Sequence, residues 1–127
     1  MNTSNISVVA GAILGFTGVI AGAVGAHALE QTLTPDQLRS FETAVRYQMY
    51  HALLLLLLSV FVKENGNKLL KTSVFCAITG VLLFSGSIYL LVLSKVPVGI
   101  ITPIGGIFLI IAWFSLFIWG LSSRIPG

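Results

Sequence analysis

Two histidines, His27 and His51, have the broadest chemical repertoire in this chain, since an imidazole can relay protons, ligate a metal or act as a general base. Glu42, Arg46, Tyr47 and Gln48 lead into His51 as one polar run, and Ser85, Ser87 and Thr102 add hydroxyls further on. Two histidines make half of a tetrahedral zinc site, but Glu30 and Glu42 would have to complete it without an HExxH or other ligand-spaced motif. No metal or other cofactor is therefore expected. Phe84-Ser85-Gly86-Ser87 is no nucleophile elbow, and no carboxylate adjoins either histidine in sequence to orient it as a base. No phosphate-binding or dinucleotide-binding fingerprint is present. Enzymatic chemistry is the least supported reading; hydrogen-bonded neutral imidazoles tying helix ends together are the plainest.

These groups sit in a chain built for a bilayer. Of 127 residues, 56% are hydrophobic and 9% charged, with a mean hydropathy of +0.99, whereas soluble domains carry about 25% charged residues. Residues 1–127 have length for a single transmembrane domain. Apolar stretches at about 6–29, 46–62, 72–94 and 101–121 are each long enough, or nearly so, to cross a core about 30 Å thick. The polar links Lys63 to Lys68 and Lys95 to Gly99 are short, and short links make antiparallel neighbours. The expected fold is all-α: an integral membrane four-helix bundle running up-down-up-down.

The second span has an amphipathic helical lead-in over residues 35–46. Thr34-Pro35-Asp36-Gln37 offers an N-cap, a first-turn proline and a capping-box glutamine. Leu38, Phe41 and Val45 fall on one side, with Asp36, Arg39, Glu42 and Arg46 on or near the other at pairing distances. Such a segment either lies at the interface or continues directly into the span. Thr102-Pro103 reads as a second cap and first-turn proline. The apolar run from Ile6 to Ala26 is too long for a signal-peptide core, and no basic residue precedes it, so it is expected to be a retained span.

Gly11, Gly15, Gly18, Gly22 and Gly25 step through the first span at intervals of four, three, four and three. Small residues at such spacing let helices approach backbone to backbone in lipid. The second span offers Ala52 and Ser59 seven apart, the third carries Ser73, Gly80, Ser87 and Ser94 at seven-residue spacing with Ala77 between the first two, and the fourth offers Gly105, Ala112 and Ser115. The glycine face of the first span is expected to pack on a small-residue seam within the chain or on another subunit.

Antiparallel spans bring the end of the first and third to the same side as the start of the second and fourth. That places His27, Glu42, Arg46, Tyr47, Gln48, His51, Ser85, Ser87 and Thr102 toward one polar end of the bundle, with Tyr89 beside them. Trp113 and Trp119 read as interfacial or packing aromatics. Lys63, Lys68, Lys71 and Arg124 on the side of the termini outnumber Arg39, Arg46 and Lys95 on the other, which favours cytoplasmic termini; a thiol placed at Asn65 would then be labelled from the cytoplasm. The scattered positive charges form no run that would track a nucleic acid. The lone Cys76 reads as a buried thiol.

Gly25-Ala26-His27-Ala28-Leu29, Phe41 to Gln48 leading into His51-Ala52-Leu53, Leu83 to Tyr89, and Ile101-Thr102-Pro103-Ile104-Gly105-Gly106 resemble the signatures of the domain-of-unknown-function 423 family. The resemblance implies a small bacterial four-span cell-membrane protein and brings no catalytic assignment with it. Two functional readings remain: a membrane interaction or assembly protein, alone as a homo-oligomer or with a membrane-protein partner, and a small oligomeric transporter or ligand-binding protein using the polar end.

Overall fold

The computed structural model describes residues 1–65 and 67–122. Four helices follow in order: α1 (Thr3–Val24), α2 (Pro35–Asn65), α3 (Lys68–Ser94) and α4 (Ile101–Ser122), with a π-helical turn at Gly25–Leu29 continuing α1. All four are long and apolar enough to cross a membrane. The lead-in to α2 is continuous with the span. Its capping box is formed, with the Gln37 backbone N–H donating to Thr34 Oγ1 at 3.2 Å and the Thr34 N–H donating to Gln37 Oε1 at 3.0 Å. At 31 residues, α2 is about 46 Å long at 1.5 Å per residue, so its first turns stand outside a core of about 30 Å.

Arg39 pairs with Asp36, whereas Arg46 donates to Thr43 Oγ1 at 3.1 Å and not to Glu42. Asn67 caps α3 by accepting from the Leu69 N–H at 2.7 Å. Lys95 ends that helix in the left-handed conformation. Gly66, part of the expected polar turn, and Arg124, part of the charge asymmetry, lie outside the described residues.

Helices adjacent in sequence are adjacent in space, but the layout is open. Among the described residues α1 packs on α2, α2 on α3 and α3 on α4; α1 only brushes α3, and the backbone of α4 approaches neither α1 nor α2. The glycine face of α1 therefore meets α2, not the small-residue seam of α3. A Cβ at Gly11 would lie 2.9 Å from the Ala52 carbonyl oxygen, one at Gly18 would meet Met49, and one at Gly25 would meet Phe41, while Gly15 and Gly22 look more loosely onto Ala52 and Val45. Ala52, one of the second span's small residues, sits at Gly11 and Gly15, and the larger Leu56, Met49 and Phe41 fill the rest of the hollow that the missing Cβ atoms leave. The small residues of α3 instead face α4. A Cβ at Gly80 would meet Leu109 at 2.5 Å, one at Gly105 would strike the Leu83–Phe84 backbone, and Ser73 Oγ donates to the Ala112 carbonyl at 2.8 Å.

Two apolar cores result. Leu54, Leu55, Leu58, Leu70, Val74, Ala112 and Trp119 fill the half nearer the termini, and Phe41, Ala44, Ile88 and Val92 fill the other. The polar side chains of α2 lie between them in sequence and in space.

Candidate functional site: a buried polar network between two cores

Gln48 is the hub. It is 5% exposed, and its Nε2 donates to the Leu14 carbonyl at 2.9 Å and to Thr17 Oγ1 at 2.8 Å, both on α1. Its Oε1 accepts from the Tyr89 hydroxyl of α3 at 2.6 Å. Thr17 keeps its own hydroxyl hydrogen on the Ile13 carbonyl at 2.7 Å, leaving its oxygen free to accept. One amide thus joins three helices with both N–H donors used, which is the arrangement hydrocarbon surroundings demand of a polar side chain.

His51, one turn on and 3% exposed, reaches the fourth helix. The indole Nε1 of Trp113 lies 3.0 Å from His51 Nε2, and His51 Nδ1 lies 2.6 Å from the Tyr47 carbonyl oxygen. An indole nitrogen only donates and a carbonyl only accepts. Nε2 must therefore be the bare nitrogen and Nδ1 must carry the hydrogen, which makes the imidazole neutral. Both ring nitrogens are engaged, so His51 presents no free lone pair to a metal or a proton donor. The Tyr47 ring packs on Phe84 at 4.8 Å and lies beside His51.

Serine hydroxyls add bonds from helix to helix. Ser85 Oγ donates to the Ala44 carbonyl at 2.8 Å, and Ser87 Oγ lies 2.5 Å from Thr102 Oγ1 while donating to the Phe84 carbonyl. Thr102 is thus inside α4 and facing α3, not at an N-cap: the helix begins one residue earlier, at Ile101. Near the other end, Ser7 Oγ donates to the Leu55 carbonyl at 2.5 Å and Ser4 Oγ to that of Ser59 at 2.8 Å.

The expected nine-residue cluster is divided, and its buried part is not at one polar end: Gln48 and His51 are level with Thr17 and Trp113, near the middle of α1 and α4. Gln48, His51, Ser85, Ser87 and Thr102 are drawn into interhelical bonds, with Tyr47 contributing its carbonyl and ring. His27, Glu42 and Arg46 are exposed on the outside, and His27 makes no hydrogen bond among the described residues. The α1–α2 register pairs Gly25 with Phe41 and Gly18 with Met49, which sets His27 level with Arg39 or Ser40. His51 lies eleven to twelve residues further along, about 17 Å at 1.5 Å per residue. The two histidines do not form a pair, and among the described residues no three His, Cys, Asp or Glu come together.

Thr17 and Trp113 join the network unanticipated. Thr17 adjoins Gly18 on the face turned to α2, and Trp113 lies midway along α4, too deep for an interfacial anchor. Beside the His51–Trp113 bond, a cavity of about 570 Å³ opens where α2 and α4 stand apart, walled by Tyr47, Phe84, Leu109 and Phe117. Its lining is mostly apolar.

The sequence profile of the family described as "Protein of unknown function (DUF423)" matches residues 21–106. Among curated proteins, the chain is 38% identical over 112 residues to "UPF0382 membrane protein SAB0533" of Staphylococcus aureus, an alignment covering 87% of this chain and 91% of that one. It is 36% identical to "UPF0382 membrane protein YwdK" of Bacillus subtilis over 89% and 94% of the two chains. With "UPF0382 inner membrane protein YgdD" of Escherichia coli K12 the identity is 33%, over 98% and 96%. No solved structure gives a significant match.

Proposed function

The chain belongs to the DUF423 family and is an integral membrane protein; from that premise we propose that it serves as an interaction or assembly protein of the cell membrane, with the Gln48–His51 network as the latch that fixes its helices. The observation that carries this reading is saturation. Gln48 spends both donors and His51 both ring nitrogens inside the chain, and a group so engaged holds helices together without being available to a substrate. The surface left over points the same way, because α1 is the least covered of the four spans and touches little beyond α2. A second copy or another membrane protein would use that side, and both termini lie in the cytoplasm on this reading. The transporter reading gains nothing from the network, which contains no carboxylate to couple protons.

Purification in mild detergent followed by native mass spectrometry tests the proposal. A defined oligomer or a stoichiometric membrane-protein partner, disrupted by a bulky residue on the outer face of α1 such as Ala12→Trp, is the expected result. A well-folded lone monomer across detergents and lipid nanodiscs would refute it.

A further inference from the structure

We propose that the groove on α3 nearest the chain termini is a binding site for an anionic phospholipid, its head group held by Lys68 and Lys71. The two lysines open a cavity of about 430 Å³ whose other walls are Thr72, Phe75, Cys76, Thr79 and Phe108. Both ammonium groups are exposed, and neither makes an ion pair among the described residues. The same groove thus changes character along its length. Two cations unpaired among the described residues stand at the start of α3, and within about three turns the lining becomes Phe75, Cys76, Thr79 and Phe108, mostly apolar.

That gradient matches the two ends of a phospholipid. A soluble anion would find the cations but no use for Phe75 and Phe108, and a neutral hydrocarbon would find the wall but no use for two positive charges. The wall belongs to two helices, since Phe108 comes from α4 while the rest comes from α3, so a chain lying there also bridges the α3–α4 seam. Volumes of 300 to 1,000 Å³ are usual for small-molecule sites, and basic pockets between spans are an established means of holding acidic head groups. Thr72, one residue from Lys71, has its hydroxyl free of hydrogen bonds among the described residues and can donate to a phosphate oxygen. Lys63, at the end of α2 on the same side, adds to the local field.

The full-length protein, stripped of native lipid in detergent, is titrated with phosphatidylglycerol or with phosphatidylcholine of the same acyl chains, and retained lipid is counted by native mass spectrometry. Phosphatidylglycerol is expected to bind in preference. One basic side chain near an acidic head group contributes about fivefold, so the double substitution Lys68→Gln, Lys71→Gln lowers its retention about 25-fold. Lys95→Gln removes one charge at the opposite end and leaves retention unchanged. Phe108→Ala weakens phosphatidylglycerol but not glycerol phosphate, which tests the apolar wall separately. Because Lys68 and Lys71 are exposed, folding of the double variant is checked by its unaltered thermal unfolding in lipid-free detergent. Equal retention of the two lipids, a loss with Lys95→Gln as large as with the double variant, or displacement of the lipid by equimolar inorganic phosphate would each overturn the proposal.

Discussion

Replacing Gln48 with leucine isolates the energetic weight of the network. Leucine approximates the shape of glutamine and removes three hydrogen bonds, two donated to α1 and one accepted from Tyr89. Interhelical hydrogen bonds within a membrane average about 0.6 kcal/mol each, so the three together contribute about 2 kcal/mol. The partners fare differently. Leu14 O lies within α1, and Thr17 still donates to Ile13, but the half-buried Tyr89 hydroxyl loses its acceptor, which costs about 1 kcal/mol more. Gln48→Leu should therefore destabilise the protein by about 3 kcal/mol, and Tyr89→Phe alone by about 1 kcal/mol. The double variant carries no orphaned hydroxyl, so it should be no less stable than Gln48→Leu and should depart from additivity by at least about 1 kcal/mol. Reversible unfolding in mixed micelles, followed by steric trapping or by titration with dodecyl sulfate, measures all three. Additive effects within about 0.3 kcal/mol would mean that Tyr89 and Gln48 do not act through each other, and the latch would lose its basis.

Other consequences are open to the same assay. Gly105→Ala drives a Cβ against the Leu83–Phe84 backbone, which has no rotamer with which to yield, and should cost about 3 kcal/mol; Gly86→Ala and Gly120→Ala, which meet nothing within 4 Å, should be neutral or slightly stabilising. Trp113→Phe leaves His51 Nε2 without its donor and should cost about 1 kcal/mol, while nitrogen-15 spectra of the wild type should show the Nδ1–H tautomer; an Nε2–H signal would contradict the assigned bond. His27→Ala should change stability by less than about 0.5 kcal/mol, because the imidazole is exposed and makes no hydrogen bond among the described residues.

The small effect expected at His27 follows from helical periodicity. The glycine row identifies the face of α1 that meets a neighbour, and the same row fixes where His27 points. Two residues beyond Gly25, at about 100° per residue, a side chain is turned roughly half a circle away from the glycine face. Arg46 stands in the same relation to both Ala44 and Gln48, which face inward. Topology predicts only the end of the bundle toward which each group falls, and that coordinate is coarse: Gln48 and His51 bond Thr17 and Trp113 near the middle of α1 and α4, between the two cores. Azimuth is contained in the sequence as well, and the helical repeat alone assigns His27 and Arg46 to the outside. Neighbour identity is less accessible. Heptads of small residues on α1 and α3 look matched on paper, yet the short links seat α1 on α2 and α3 on α4, and glycine accepts Met49 or Phe41 as readily as another glycine. The pairing of Gln48 with Tyr89, and of His51 with Trp113, depends on the register between helices, which single-helix periodicity does not encode.

Depth and azimuth together separate the polar residues into two sets with different work. Those turned inward must be saturated by the chain itself, because hydrocarbon supplies neither donors nor acceptors; the bonds of Gln48, His51, Ser85 and Ser87 meet that requirement, whereas the buried Trp119 Nε1 has no partner among the described residues. Polar residues turned outward at membrane depth have only lipid or a partner to answer them. Arg46 bends back one turn to Thr43, toward the aqueous end of α2, as a long cationic side chain does when its backbone sits below the interface. Lys68 and Lys71 start at the interface and need no such bend. Among the described residues their ammonium groups have no partner, which suits them, and not Arg46, to the proposed acidic head group.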